Sequence, residues 1–201
     1  MSNHSVEPTA SGLRSSVAGH LKSSVREEVS TIDQSLINDI AVAFPLDPMP
    51  FADDITRCTY DKRNGGSFDG PCSDCVEIAR FFAAKQGNEP TPLEYRKFCE
   101  ATSLMTPNAF NYYLPGWMTA SVAHRRTADV LTDHLISTMS GQCAFSAARI
   151  EKCYESLSES QLLCIKRFMV WYHGDEDWDD KEVKRALERL YSRLAREQKS
   201  T

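Results

Sequence analysis

The stretch that most limits how this chain can fold is residues 103–124, SLMTPNAFNYYLPGWMTASVAH, the densest aromatic run in its 201 residues. Phe110, Tyr112, Tyr113 and Trp117 fall within eight positions. Thr106 suits a helix N-cap and Pro107 the first helical position, and Pro115 is then expected to end or kink the helix. Rings at this density carry a large apolar area, so other helices must pack around them. The segment is expected to be the centrepiece of a core; the alternative is a ligand-lined cleft.

The rest of the chain supplies the surrounding helices. Val17, Leu21, Val25 and Val29 recur every four residues, one narrow stripe on a helix weakened by Gly19 and several serines. Thr31 and Gln34 fit a capping box for a helix with Ile32, Leu36, Ile37, Ile40, Ala43 and Phe44 on its apolar side, closed by Pro45. Residues 45–71 are rich in Pro and Gly and lack helical period. Ile55–Tyr60 alternates weakly, which fits a short strand paired across Gly65–Gly66 with residues near Phe68. Ser73 or Asp74 starts the next helix, and Gly87 fits its end. Thr91, Pro92 and Glu94 read as N-cap, N1 and N3 of another. Thr127 and Gly141 bracket a helix, Phe145 to Tyr154 form a further one, and Ser158 with Gln161 opens the helix that stops at Gly174. After the acidic turn DEDWDD, Val183, Leu187, Leu190 and Leu194 make the seam of a last amphipathic helix, expected to dock on the body.

These signals predict an all-α fold: a single helical domain of about seven or eight helices, with room for one small β-hairpin near 55–69. The organisation is an N-terminal tail and weak helix over 1–30, a helical core domain over 31–174, and an acidic hinge with the C-terminal amphipathic helix over 175–201. The net charge of −5 argues against broad nucleic-acid binding. No run approaches the 18 or so apolar residues of a membrane span, and the N-terminus has no uninterrupted apolar signal segment, so a cytoplasmic location is expected. Seven cysteines, an odd number, mostly in apolar helical positions, fit reduced thiols better than a disulfide framework.

Residues from about Leu36 to Tyr172 carry AFP at 43–45, Tyr60–Asp61 before a Gly-containing turn, CVEIARFF at 75–82, SLMTPNAFNYYLPGWM at 103–118 and LSESQLLCIKRFMVWY at 157–172. In these blocks the chain resembles an uncharacterised bacterial family, a domain of unknown function. The termini and the Gly-rich insert before Cys72 depart from its pattern. The resemblance implies one bacterial helical domain and brings no activity, cofactor or catalytic residue.

Among chemical candidates, Cys72-x-x-Cys75 stands at the start of a helix with Cys58 upstream. Zinc takes four ligands, and two such pairs would be the strong signal; here a set of Cys58, Cys72 and Cys75 lacks its fourth ligand. A helix N-terminus also favours a thiolate, so redox chemistry is a further use, although no thioredoxin-type strand–helix–strand pattern surrounds the pair. Asp129 and Asp133 lie near His134 on one helix, without a nucleophile to match. His124, Arg125 and Arg126 fit a small anion site or, more simply, a solvated turn. P-loop, Rossmann, H-E-x-x-H, EF-hand and kinase signatures are missing.

The functional expectation is accordingly a non-enzymatic, cytoplasmic protein-binding module, in one concrete form an immunity or antitoxin-type protein that neutralises a toxin by direct binding. Asp53, Asp54, Asp175, Glu176, Asp177, Asp179 and Asp180 would face a basic toxin surface. The alternative is a small metal-binding or redox protein using Cys58, Cys72 and Cys75, with zinc as its ion and no other cofactor. A homodimer built through the terminal helices is a third reading.

Overall fold

The computed structural model describes residues 30–45, 48–58, 72–142, 144–174 and 180–197. Among them run nine α-helices: α1 (Thr31–Ala43), α2 (Ser73–Phe82), α3 (Pro92–Lys97), α4 (Ala101–Leu104), α5 (Pro107–Ala123), α6 (Asp129–Ser140), α7 (Ala144–Glu155), α8 (Glu159–His173) and α9 (Asp180–Glu197). A 3-10 turn spans Ala52–Asp54. The architecture is all-α, as the apolar periodicity predicts. The helix beyond the expected seven or eight is α4, a single turn too short to leave a periodic signal.

α5 is the central element. α1, α3, α6 and α7 all pack on it, while α8 and α9 close the outside against α1 and against α6 and α7. Phe110, Tyr113 and Trp117 are fully buried. Phe82 of α2 meets Tyr113 edge-on at 4.8 Å and Trp117 at 6.2 Å between ring centroids. Pro115 does not end α5, which continues to Ala123. Pro115 lacks an N–H and removes one helical hydrogen bond, yet packing on four sides holds the helix through it. Next to it, Gly116 admits the turn at Gly87 and Tyr95 of α3: a Cβ there would lie 2.1 Å from both the Gly87 carbonyl oxygen and the Tyr95 hydroxyl. That contact is the reason for a glycine at this position.

Three of the expected helix caps are present, one is displaced and one is missing. Thr91 with Glu94 and Ser158 with Gln161 form reciprocal capping boxes. The box on α1 uses Ser30 and Asp33 instead of Thr31 and Gln34, one residue earlier. α5 is capped by Thr106, whose hydroxyl accepts from the Ala109 N–H at 3.2 Å. Thr127 caps nothing; Ala128 precedes α6 without a side-chain cap. Gly141 ends α6 in the left-handed region at φ 57°.

Several helix C-termini are closed by side chains from elsewhere, a feature no local pattern announces. Each helix leaves its last carbonyls without intrahelical partners. The Tyr113 hydroxyl donates to the carbonyls of Phe82 (2.6 Å) and Lys85 (3.1 Å) after α2. Buried Arg149 donates to Thr102 and Met105 of the α4 end, at 3.0 and 3.1 Å. Arg189 of α9 donates to Ser140 and Gly141 after α6, and Arg193 to Tyr154 and Glu155 at the end of α7. The α9 seam is docked on the body: Val183, Ala186, Leu190 and Leu194 are buried. Its arginines supply donors that a solvated helix face would leave in water. No helix among the described residues is long and apolar enough to cross a membrane.

The hairpin expected near 55–69 falls largely on 59–69, outside the described residues. Over 55–58 the expected strand is absent. Thr56 forms a single antiparallel bridge with Met105, and Arg57 and Cys58 already belong to a helical turn.

Candidate metal centre

Two local structures bring three sulfur atoms together. The first is the N-terminus of α2. Cys72 is its N-cap, extended at φ −65° and ψ 158°, and its Sγ accepts from the Cys75 N–H at 3.4 Å. Cys75, one turn into the helix, points with Ile78 and Phe82 into the core and is fully buried. The sequence reading starts α2 at Ser73 or Asp74; Ser73 is indeed its first residue, and the sulfur takes the cap position that a hydroxyl or carboxylate more often fills.

The second is the segment 52–58, pinned onto the junction of α4 and α5. Ile55 is fully buried and its carbonyl accepts from the Thr106 N–H at 3.0 Å. The Thr106 hydroxyl, besides capping α5, donates to the Asp54 carbonyl. This anchoring delivers half-buried Cys58 to the start of α2, across 14 residues of sequence. Cys58 Sγ lies 3.7 Å from Cys72 Sγ and 3.0 Å from Cys75 Sγ, and all three sulfurs fit within 4.8 Å of one another.

Donation from the Cys75 backbone N–H holds the Cys72 thiol below its ordinary range. Burial pushes Cys75 up to about 12, with the neighbouring Cys58 and Cys72 sulfurs adding to the rise. Sulfur is a weak hydrogen-bond partner, so the trio gains little from its own contacts. A thiophilic cation changes that. With metal–sulfur bonds of about 2.3 Å, tetrahedral coordination puts sulfurs about 3.7–3.8 Å apart. The Cys58–Cys72 edge already has that length, and the Cys58–Cys75 edge must open by about 0.7 Å to match it.

Among the described residues no other group of three His, Cys, Asp or Glu side chains meets the same geometry. Cys153 and Cys164 are buried on other helices, where burial raises their thiols to about 12 and about 11; Cys99 is half-buried and also raised by burial. Cys143 lies outside the described residues. Of the acidic positions expected to face a partner, Asp53 and Asp54 sit in the 3-10 turn, Asp53 exposed and Asp54 half-buried. Asp175, Glu176, Asp177 and Asp179 lie outside the described residues, as does the side chain of Asp180 at the start of α9. The carboxylate next to His134 is engaged elsewhere: Asp133 accepts from the Tyr172 hydroxyl at 2.9 Å. His124 is the C-cap of α5, and the Arg125 guanidinium stacks 4.7 Å over the Trp171 ring.

The aromatic run does not line a reactive hollow. Tyr113 and Trp117 are closed to solvent, and only half-buried Tyr112 borders a cavity, of about 570 Å³, between α5 and the 44–54 segment. Cys58 is the site residue for which the sequence offers a type but no spacing. Its place follows from the Thr56–Met105 bridge, which joins positions 49 residues apart. Comparison with protein-family models, with curated proteins and with solved structures finds no match for this chain.

Proposed function

We propose that the protein binds a thiophilic metal ion of the zinc class through Cys58, Cys72 and Cys75, and that the ion clamps segment 52–58 to the N-terminus of α2. The observation that carries this reading is the convergence of three cysteine sulfurs, from two separately anchored pieces of chain, within 4.8 Å. Thiolates are the preferred donors for zinc and for other soft ions, and a coordinated thiol gives up its proton. The raised thiol of buried Cys75 must lose its proton when it ligates, so metal uptake releases protons and strengthens as pH rises. The protein-binding reading, immunity or antitoxin type included, has no feature among the described residues to carry it.

Elemental analysis tests the proposal. Full-length protein purified without chelators should hold about one equivalent of zinc per chain, and Cys58→Ser or Cys75→Ser should hold less than about a tenth of that. Wild-type protein that is folded, reduced and metal-free after exposure to excess zinc would overturn it.

A further inference from the structure

The three sulfurs differ in how an outside reagent reaches them, and that difference gives the site a second chemistry. Cys72 is exposed at the N-cap of α2, Cys58 is half-buried beside it, and Cys75 is fully buried in the first turn. We propose that Cys72 is the point of attack on hydroperoxides, that Cys58 resolves the product into a Cys58–Cys72 disulfide, and that this reaction discharges the metal. The inference rests on the metal-binding reading for its last step only.

The chemistry balances with a hydroperoxide as the oxidant. The Cys72 sulfur attacks one peroxide oxygen; a sulfur–oxygen bond forms, the oxygen–oxygen bond breaks, and the departing oxygen leaves as water or alcohol after taking a proton. Cys72 is then a sulfenic acid. The Cys58 sulfur, 3.7 Å away, attacks it; the sulfur–sulfur bond forms, the sulfur–oxygen bond breaks, and hydroxide leaves as water with the Cys58 proton. Two electrons have passed from two thiols to one peroxide. Two of the three metal donors are now consumed, and Cys75 alone cannot retain the ion.

Geometry selects the disulfide. The shortest sulfur separation, 3.0 Å, joins Cys58 and Cys75, so proximity alone would predict that pair. Access points the other way. A peroxide must first reach a sulfur, and Cys75 is fully buried, like Ile78 and Phe82 further along the same helix. Cys72 sits at the edge, where its side chain can swing through the roughly 1.7 Å needed to bond Cys58. The other described cysteines, Cys99, Cys153 and Cys164, lie in different helices or turns and belong to no such group of three among the described residues.

The experiment treats zinc-loaded and metal-free full-length protein with one to a few equivalents of hydrogen peroxide. Disulfides are mapped by mass spectrometry after alkylation, and freed zinc is followed with a chromophoric chelator. The expected result is a Cys58–Cys72 disulfide in both forms, Cys75 still alkylatable, and zinc released in step with the disulfide. Cys75→Ser should still form the disulfide, whereas Cys58→Ser should stop at sulfenic and sulfinic acid on Cys72. Dithiothreitol should reverse the wild-type reaction. A disulfide that includes Cys75, first oxidation at any other cysteine, or sulfinic acid at Cys72 of the wild type without a disulfide would each overturn the proposal. A chain that never loads zinc removes the metal-binding reading alone, because the metal-free arm still decides which sulfurs react.

Discussion

α2 joins two regions built on opposite principles. At its C-terminal end, Phe82 packs among Tyr95, Tyr113 and Trp117, and the carbonyls of Phe82 and Lys85 accept from the Tyr113 hydroxyl. That end is packed shut: its rings are buried and the Phe82 and Lys85 carbonyls have a donor from the same chain. The buried Trp117 Nε1 is left without a hydrogen-bond partner among the described residues. At the N-terminal end, one exposed, one half-buried and one buried sulfur meet with only weak sulfur contacts between them. One end of a single helix is closed by side chains, and the other presents three sulfurs that the proposed cation would join. The comparison separates residues that hold the fold from residues proposed to hold an ion.

The largest expected effect breaks the finished end. Trp117→Ala removes a fully buried indole from the centre of the ring cluster and should cost about 3–5 kcal/mol, read by urea unfolding. The loss should be the same with zinc present or chelated, since the ring and the sulfurs lie at opposite ends of α2. A next, smaller effect probes the sulfur end. Zinc at about a hundred times its dissociation constant should raise wild-type stability by about 2.7 kcal/mol over chelated protein. Cys72→Ser should erase that difference while leaving the chelated form close to the chelated wild type.

Ser158→Ala serves as a control on a different helix. It removes the cap of α8 and its reciprocal bond with Gln161, and should cost about 1 kcal/mol irrespective of metal. The smallest effect sharpens the finished end electrostatically. Glu94, at N3 of α3, is held near a pKa of about 2 by the hydrogen bond from Lys85 and by the Thr91 N–H. A carboxyl lowered in the folded state contributes fully above its unfolded value, 4.5, and the contribution disappears as pH falls towards about 2. Wild-type stability should therefore decline more steeply than that of Glu94→Gln between pH 4.5 and 2, while the two run parallel above pH 6. Glu94 is partly exposed, so salt should shrink the difference.

What the sequence discloses and what it hides follow one physical line. Ser158 with Gln161 and Thr91 with Glu94 are contacts three residues apart, so local spacing reveals them. Burial of Phe110, Tyr113 and Trp117 is legible from residue type. Continuation of α5 through Pro115 is not, because packing from α1, α3, α6 and α7 outweighs a local breaker. The docking of α9 is half legible: the Val183, Leu190, Leu194 seam is periodic, but the Arg189 and Arg193 bonds to the ends of α6 and α7 depend on elements about 40 residues away or more. The thiol site shows the same division. Cys72 and Cys75 declare themselves as a pair, whereas Cys58 joins them through contacts of its segment with Met105 and Thr106, about 50 residues away, that no pattern in the sequence encodes.

The claim that the sulfur end of α2 is completed by a cation is tested most directly by titrating reduced, metal-free protein with cobalt(II) and following thiolate-to-metal charge-transfer absorption. The account predicts saturation at about one equivalent, intensity appropriate to three thiolates, and bleaching when zinc is added. Absorption that stays at the level of free cobalt(II), or that survives intact in the Cys58→Ser, Cys72→Ser and Cys75→Ser variants, would contradict it.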